Sequence, residues 1–174
     1  GRTWDEFLRT RIFAPLGMTS TSTSIRDLAS ASDVAWPHAE TAEGVRAIPR
    51  YDGDNVGPAG SINSNVIDMA QWLRLHLAGG TYDGKRILSE RGVEEMRTAQ
   101  MVIPTGRGSR LMFPDAHLIA YGLGLMLSDH AGKLLVEHNG EIDGMTSAVG
   151  MVPEAHCGVV VLTNMAGVTT STAL

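Results

Sequence analysis

The sequence predicts an α+β protein, in which an antiparallel sheet is packed with helices or set beside them. Three observations carry this: a capped helix at the start, a longer amphipathic helix before the middle, and strand-length apolar runs separated by turn residues near the end. The division they suggest is a helix and long-loop region over 1–118 and a four-stranded antiparallel portion over 119–174.

Thr3-Trp4-Asp5-Glu6 has the form of a capping box, a hydroxyl answered three residues later by a carboxylate. Phe7, Leu8 and Ile12 continue at helical spacing, so a helix of about ten residues is expected, ending before Ala14-Pro15. From Thr19 to Ile62 the chain is rich in Ser, Thr, Asp, Gly and Pro and shows little periodicity, and a loop of that length usually has a function. Ser64 then reads as an N-cap for a helix with Val66, Met69, Ala70, Leu73 and Leu77 on one stripe, stopped by Gly79-Gly80. A shorter helix follows Ser89, with Val93 and Met96 inward, and the stretch from Thr98 to His117 is irregular.

After Tyr121 the pattern changes. Gly122–Leu127, Lys133–His138, Met145–Val152 and Gly158–Asn164 are strand-length runs, and "SDHAG", "NGEIDG" and "PEAHC" between them carry turn chemistry. Short connections imply an antiparallel meander. Gly158-Val159-Val160-Val161-Leu162 is apolar on both faces and is expected to be a covered inner strand, with Cys157 packed as a small apolar residue. As the sole cysteine, Cys157 has no partner for an internal disulfide.

Composition excludes several function classes. The chain has 174 residues, 43% apolar and 19% charged, with a net charge of −5 and its basic residues scattered singly, so nucleic acid is not an expected partner. No apolar run approaches the roughly 20 residues that span a bilayer, and no membrane segment or leader is read. Gly1 leading directly into a helix, and Thr169-Thr170-Ser171 reading as a helix start at the other end, suggest part of a longer protein. The sequence holds no GxSxG, Walker loop, GxGxxG, HExxH or CxxC. The six histidines show no ligand spacing, and Asp52-Gly53-Asp54-Asn55 lacks the later ligands of a calcium loop, so neither a metal nor a cofactor is expected. A Ser-x-x-Lys nucleophile is excluded by counting, because the residues three before Lys85 and Lys133 are Tyr82 and His130. Ser61-Ile62-Asn63 matches Ser-x-Asn, and a pre-helix loop explains it equally well.

Five segments share a resemblance. "FLRTRIFAPLGMTST", "PAGSINSNVIDMAQWLRLHLAGG", "YGLGLML", "HNGEIDGMTSAVGMVPE" and "GVVVLTN" occur in the order and approximate spacing seen in the serine β-lactamase and penicillin-binding protein family. The class C-like branch, which also holds esterases, D-aminopeptidases and DD-carboxypeptidases, is the most similar. The resemblance implies a DD-peptidase/β-lactamase-like fold and a serine hydrolase working through an acyl-serine. It places His138-Asn139-Gly140 at the Lys/His-x-Gly motif that forms one wall of the acyl-transfer site. The Ser-x-x-Lys and Tyr-x-Asn motifs of family members would lie upstream of Gly1.

On that resemblance His138, Gly140 and Glu141 are the candidate catalytic residues, with Asn139, Ala59 and Gly60 as candidate substrate contacts. Gly140 would let an acyl group lie against the backbone, and the Glu141 N–H would be one oxyanion donor. A histidine where relatives carry lysine favours an esterase or peptidase over a true β-lactamase, because lysine is a permanent cation. The Glu141 carboxylate would repel an anionic intermediate if it faced inward, unless strand alternation turns it away. The expected substrate is a small ester, amide or β-lactam-like molecule. Bland explanations stand beside these. His138 alone reads as a strand-end histidine, Gly140 and Gly144 as hairpin glycines, and Ala59-Gly60 as a structural loop. A catalytically inactive binding module of the same fold is the alternative function.

Overall fold

In the computed structural model, residues 1–106, 113 and 115–167 are described. Helix α1, Trp4–Leu8, begins where expected, with the Thr3 side chain accepting from the Glu6 N–H. It does not stop before Ala14-Pro15. A π-helical turn, Arg9–Phe13, leads into α2, Ala14–Leu16, which ends at Gly17 with φ +67°. The Ala14 N–H reaches back five residues to the Arg9 carbonyl. The widened turn brings Pro15 to the start of a new helical turn, where an N–H is dispensable.

The long stretch read as loop contains short elements too brief for periodicity to reveal. These are a 3-10 turn at Ile25–Ser30, the hairpin β1 His38–Thr41 with β2 Gly44–Ala47, a 3-10 turn at Asp54–Val56, and α3, Gly57–Gly60. Two acids hold it. Asp68 accepts from the Ser20 N–H and the Thr21 hydroxyl, both at 2.8 Å. Asp54 accepts from the Ser24 hydroxyl at 2.6 Å and from the Ile25 N–H, bonds that keep its carboxyl below the usual range.

Helix α4, Val66–Leu77, is capped by Asn65 rather than Ser64. The Asn65 side chain accepts from the Asp68 N–H at 2.9 Å, whereas the Ser64 hydroxyl is turned to Thr21, 2.7 Å away. Leu73 is buried as expected, Val66 is exposed, and Leu75 and His76 are fully enclosed. A two-stranded hairpin follows, β3 Thr81–Tyr82 with β4 Lys85–Arg86, and then α5, Glu90–Met96, capped by the Ser89 hydroxyl.

Among the described residues the sheet has six strands instead of four: β5 Met101–Ile103, β6 Ile119–Tyr121, β7 Met126–His130, β8 Lys133–Ile142, β9 Met145–Val152 and β10 Cys157–Thr163, in the order β10-β9-β8-β7-β6-β5. The two additional strands span three residues each, too few for an alternating pattern. Strand β8 runs on to Ile142, four residues beyond its expected end at His138, so the turn shrinks to Asp143-Gly144. Strand β10 is not an inner strand. Among the described residues β9 is its one neighbour and it lies at the sheet edge, Leu162 is 38% exposed, and Cys157 is exposed rather than packed. The proposed helix start at Thr169–Ser171 lies outside the described residues.

The described residues divide into two compact units. One comprises Gly1–Trp72, Asn139–Ser147 and, among the described residues, 161–167; Ile12, Phe13, Leu16 and Met18 are buried in it. There the tip of the β8–β9 hairpin is clamped: Gly144 accepts from the His38 N–H, and the Thr146 hydroxyl donates to Met165. Gly144 has φ +74°, and a Cβ would sit 2.5 Å from the Pro37 Cβ, so both conformation and crowding demand glycine. The other unit comprises Leu73–His138 and Ala148–Val160. Its core joins Leu73, Ala120, Leu125, Leu127, Val136 and Met151, with Leu77, Met96 and Val160 against them. Arg97 donates to the His76 carbonyl at 2.6 Å.

Candidate active site

Strand β8 changes character part-way. Its pairing with β7 runs from His130↔Lys133 to Met126↔Glu137 and ends there. From His138 to Ile142 it keeps β9 on one side and, among the described residues, has no strand on the other. Unpaired strand backbone presents N–H and C=O groups in a fixed row. Burial follows the pairing: Leu135, Val136 and Glu137 are buried, Asn139 is half-buried, and His138, Gly140 and Glu141 are exposed. Burial pushes the Glu137 carboxyl above the usual carboxylate range.

At the point where pairing ends, the His138 Nε2 lies 3.0 Å from the Tyr121 hydroxyl, and the two rings meet edge-on at 65°. Tyr121 closes β6 opposite Met126. Two residues further along β8, a Cβ added to Gly140 would come within 2.6 Å of the Ser147 hydroxyl on β9, which bonds weakly to the Gly140 carbonyl at 3.4 Å. The bare backbone at Gly140 therefore lets Ser147 lie close across the hairpin.

An open pocket of about 320 Å³ is lined by Tyr51, Val56, Ala59, Gly60, Glu141, Ile142 and Asp143. It unites Ala59 and Gly60 with Glu141, three of the residues singled out in the sequence and separated by some eighty positions. Ala59 and Gly60 belong to the one-turn helix α3 and not to a loop. His138, Asn139 and Gly140 do not line this pocket. Two of its lining residues carry carboxylates and none carries a basic side chain. Tyr51, Val56, Ile142, Asp143 and Tyr121 escaped sequence reasoning. Tyr121 left a trace there as the first letter of "YGLGLML", and Ile142 and Asp143 lie within "HNGEIDGMTSAVGMVPE", whereas Tyr51 and Val56 left none.

Ser61 is excluded as a reactive hydroxyl by its surroundings. It is buried and bonded to the carbonyls of Thr23 at 2.7 Å and Gly57 at 3.1 Å, while the Asn63 amide donates to the Ser61 carbonyl. The Ser-x-Asn tripeptide is thus a structural connection into α4. Among the described residues no three His, Cys, Asp or Glu side chains gather as metal ligands, and no helix is long and apolar enough to cross a membrane.

Residues 1–173 match the family described as Beta-lactamase. This chain belongs to the beta-lactamase family. Penicillin-binding protein 4 of Amycolatopsis lactamdurans is 31% identical over 98% of this beta-lactamase-family chain and 44% of its own length. Among solved structures, the octameric penicillin-binding protein homologue from Pyrococcus abyssi superposes with a TM-score of 0.79 at 26% identity, covering 95% of this chain and 34% of that one. The D-amino acid amidase from Ochrobactrum anthropi SV3, complexed with L-phenylalanine amide, gives 0.67 at 26% identity, covering 94% and 44%. The chain spans 29% to 44% of the length of the curated relatives it matches.

Proposed function

We propose that this chain forms one wall of the acyl-transfer site of a serine hydrolase acting on a small ester or amide through an acyl-serine. The observation that carries this reading is the end of β7 pairing at Glu137, which leaves the backbone from His138 to Ile142 open on one side. A tetrahedral intermediate needs hydrogen-bond donors aimed at its oxyanion, and a rigid strand edge holds N–H groups without reorganisation. The Glu141 N–H is one such donor, Gly140 keeps the approach free of a side chain, and the His138 imidazole donates to the substrate or to the proton-transfer groups. Asn139, Ala59 and Gly60 contact the rest of the substrate.

The nucleophile and its base come from outside these 174 residues, consistent with the absence of Ser-x-x-Lys and with the partial coverage of relatives. The serine oxygen attacks the carbonyl carbon, the leaving group departs with a proton, and water hydrolyses the acyl-serine. The amide in the amidase complex supports an amide substrate. The acidic lining of the pocket opposes acyl groups that carry a carboxylate, as classical β-lactams do.

A fluorophosphonate probe followed by mass spectrometry tests the reading. Protein extended upstream of Gly1 should be labelled on a serine in the extension, and the 174-residue chain should remain unlabelled. Covalent labelling of a serine within residues 1–174 would refute it, and an extended protein that binds substrate without being labelled would indicate a binding module.

A further inference from the structure

We propose that Tyr121 is a positioning residue for His138: its hydroxyl donates to Nε2, holds the imidazole in the Nδ1–H tautomer, and leaves Nδ1–H as the donor presented to substrate. The two residues sit very differently. Tyr121 is half-buried, and strands flank it on both sides, with Met101 opposite it on β5 and Met126 on β7. Its carbonyl also accepts from the Gln100 N–H at 2.9 Å. The phenol therefore projects from an anchored backbone with few torsions left to vary. His138 is exposed and lies one residue past the end of β7 pairing, so its ring is not enclosed by the sheet. An exposed imidazole populates several rotamers and both neutral tautomers unless a hydrogen bond selects one.

The 3.0 Å contact between the Tyr121 hydroxyl and Nε2, with ring centroids 6.0 Å apart and edge-on, is the one side-chain hydrogen bond that His138 makes among the described residues. A phenol donates readily and a neutral imidazole nitrogen accepts, so this pairing puts the ring proton on Nδ1. The nitrogen left without a protein partner is then a donor, suited to a carbonyl or leaving-group oxygen and not to a proton that must be removed. No proton leaves Tyr121 in this arrangement; it acts only through His138. The substrate-directed part of the inference rests on the acyl-transfer reading, whereas the tautomer does not.

Long-range 1H–15N spectra of imidazole-labelled full-length protein test the tautomer directly. The expected result for neutral His138 is the Nδ1–H form, collapsing to a tautomer mixture in Tyr121→Phe, which keeps the ring and loses only the hydroxyl. An Nε2–H form, or spectra unchanged by the substitution, would overturn the proposal. In kinetics with a small ester, Tyr121→Phe should lower kcat/KM by about threefold to tenfold, the scale of one net hydrogen bond, and should cost nothing further in a His138→Ala background. A full, additive loss in that background would mean that Tyr121 acts independently of His138 and would also overturn it. If no ester or amide is turned over, the acyl-transfer reading fails, and the spectra still decide the positioning role.

Discussion

The two halves of β8 differ in pairing and in exposure. Lys133–Glu137 is paired with β7, and its middle is sealed, with Val136 at 0% exposure in the core cluster. His138–Ile142 has lost that neighbour, and Ile142 is 37% exposed. In the first half side chains make the packing contacts that stabilise the sheet. In the second the backbone itself is on offer, and the side chains at Gly140 and Glu141 are small or exposed. The strand thus passes from a packed segment to an accessible edge, and the proposed acyl-transfer wall rests on that edge.

The largest expected effect lies on the sealed half. Leu127→Ala, on β7 opposite Val136, should destabilise the protein by about 2–5 kcal/mol in denaturant unfolding, and Ile142→Ala by only about 1 kcal/mol. Equal costs would erase the contrast between the halves.

Protonation sharpens the same comparison, because a second histidine lies on the closed side. His76 is fully enclosed, and desolvation, aided by the nearby Arg97 charge, lowers its pKa from 6.5 to about 4. A lowered value means that the folded state resists the proton which the unfolded chain accepts. The stability associated with neutral His76 is therefore complete above pH 6.5 and is lost as pH falls toward about 4, by about 3 kcal/mol at most. Unfolding free energies from pH 7.5 to 4 should show this slope, and His76→Leu should flatten it. An identical slope in that variant would assign the pH dependence elsewhere.

On the open side the expected effect falls on the rate and not on stability. His138→Ala in the full-length protein should reduce kcat/KM at least tenfold, about 1.4 kcal/mol, while leaving the unfolding midpoint nearly unchanged because the side chain is exposed. An unaltered rate would return His138 to the role of a strand-end histidine.

Much of this protein was legible from sequence alone because the signals involved act over a few residues. Thr3 and Ser89 each answer an N–H three residues on, so their helix starts could be located. The run Met145–Val152 matched its strand to the residue, and the ordered family segments identified the β-lactamase-like fold and hydrolase family. Local signals also misled where a competing partner was distant. Ser64 has cap chemistry, but Thr21 takes its hydroxyl and Asn65 caps instead. The apolar run from Gly158 to Leu162 suits an inner strand, yet strand order places it at the edge.

What tertiary structure alone decided is the geometry around the candidate residues. Nothing in "VEHNGEID" marks Glu137 as the last residue with a β7 partner, since that depends on where Met126 begins a strand across a turn. Nor does spacing bring Tyr121 to His138, or Ala59 and Gly60 to Glu141. Side-chain periodicity and caps are set by backbone geometry within a turn or two. The points where one strand outlasts its neighbour, and where two side chains consequently meet, are set by register between segments far apart in the chain.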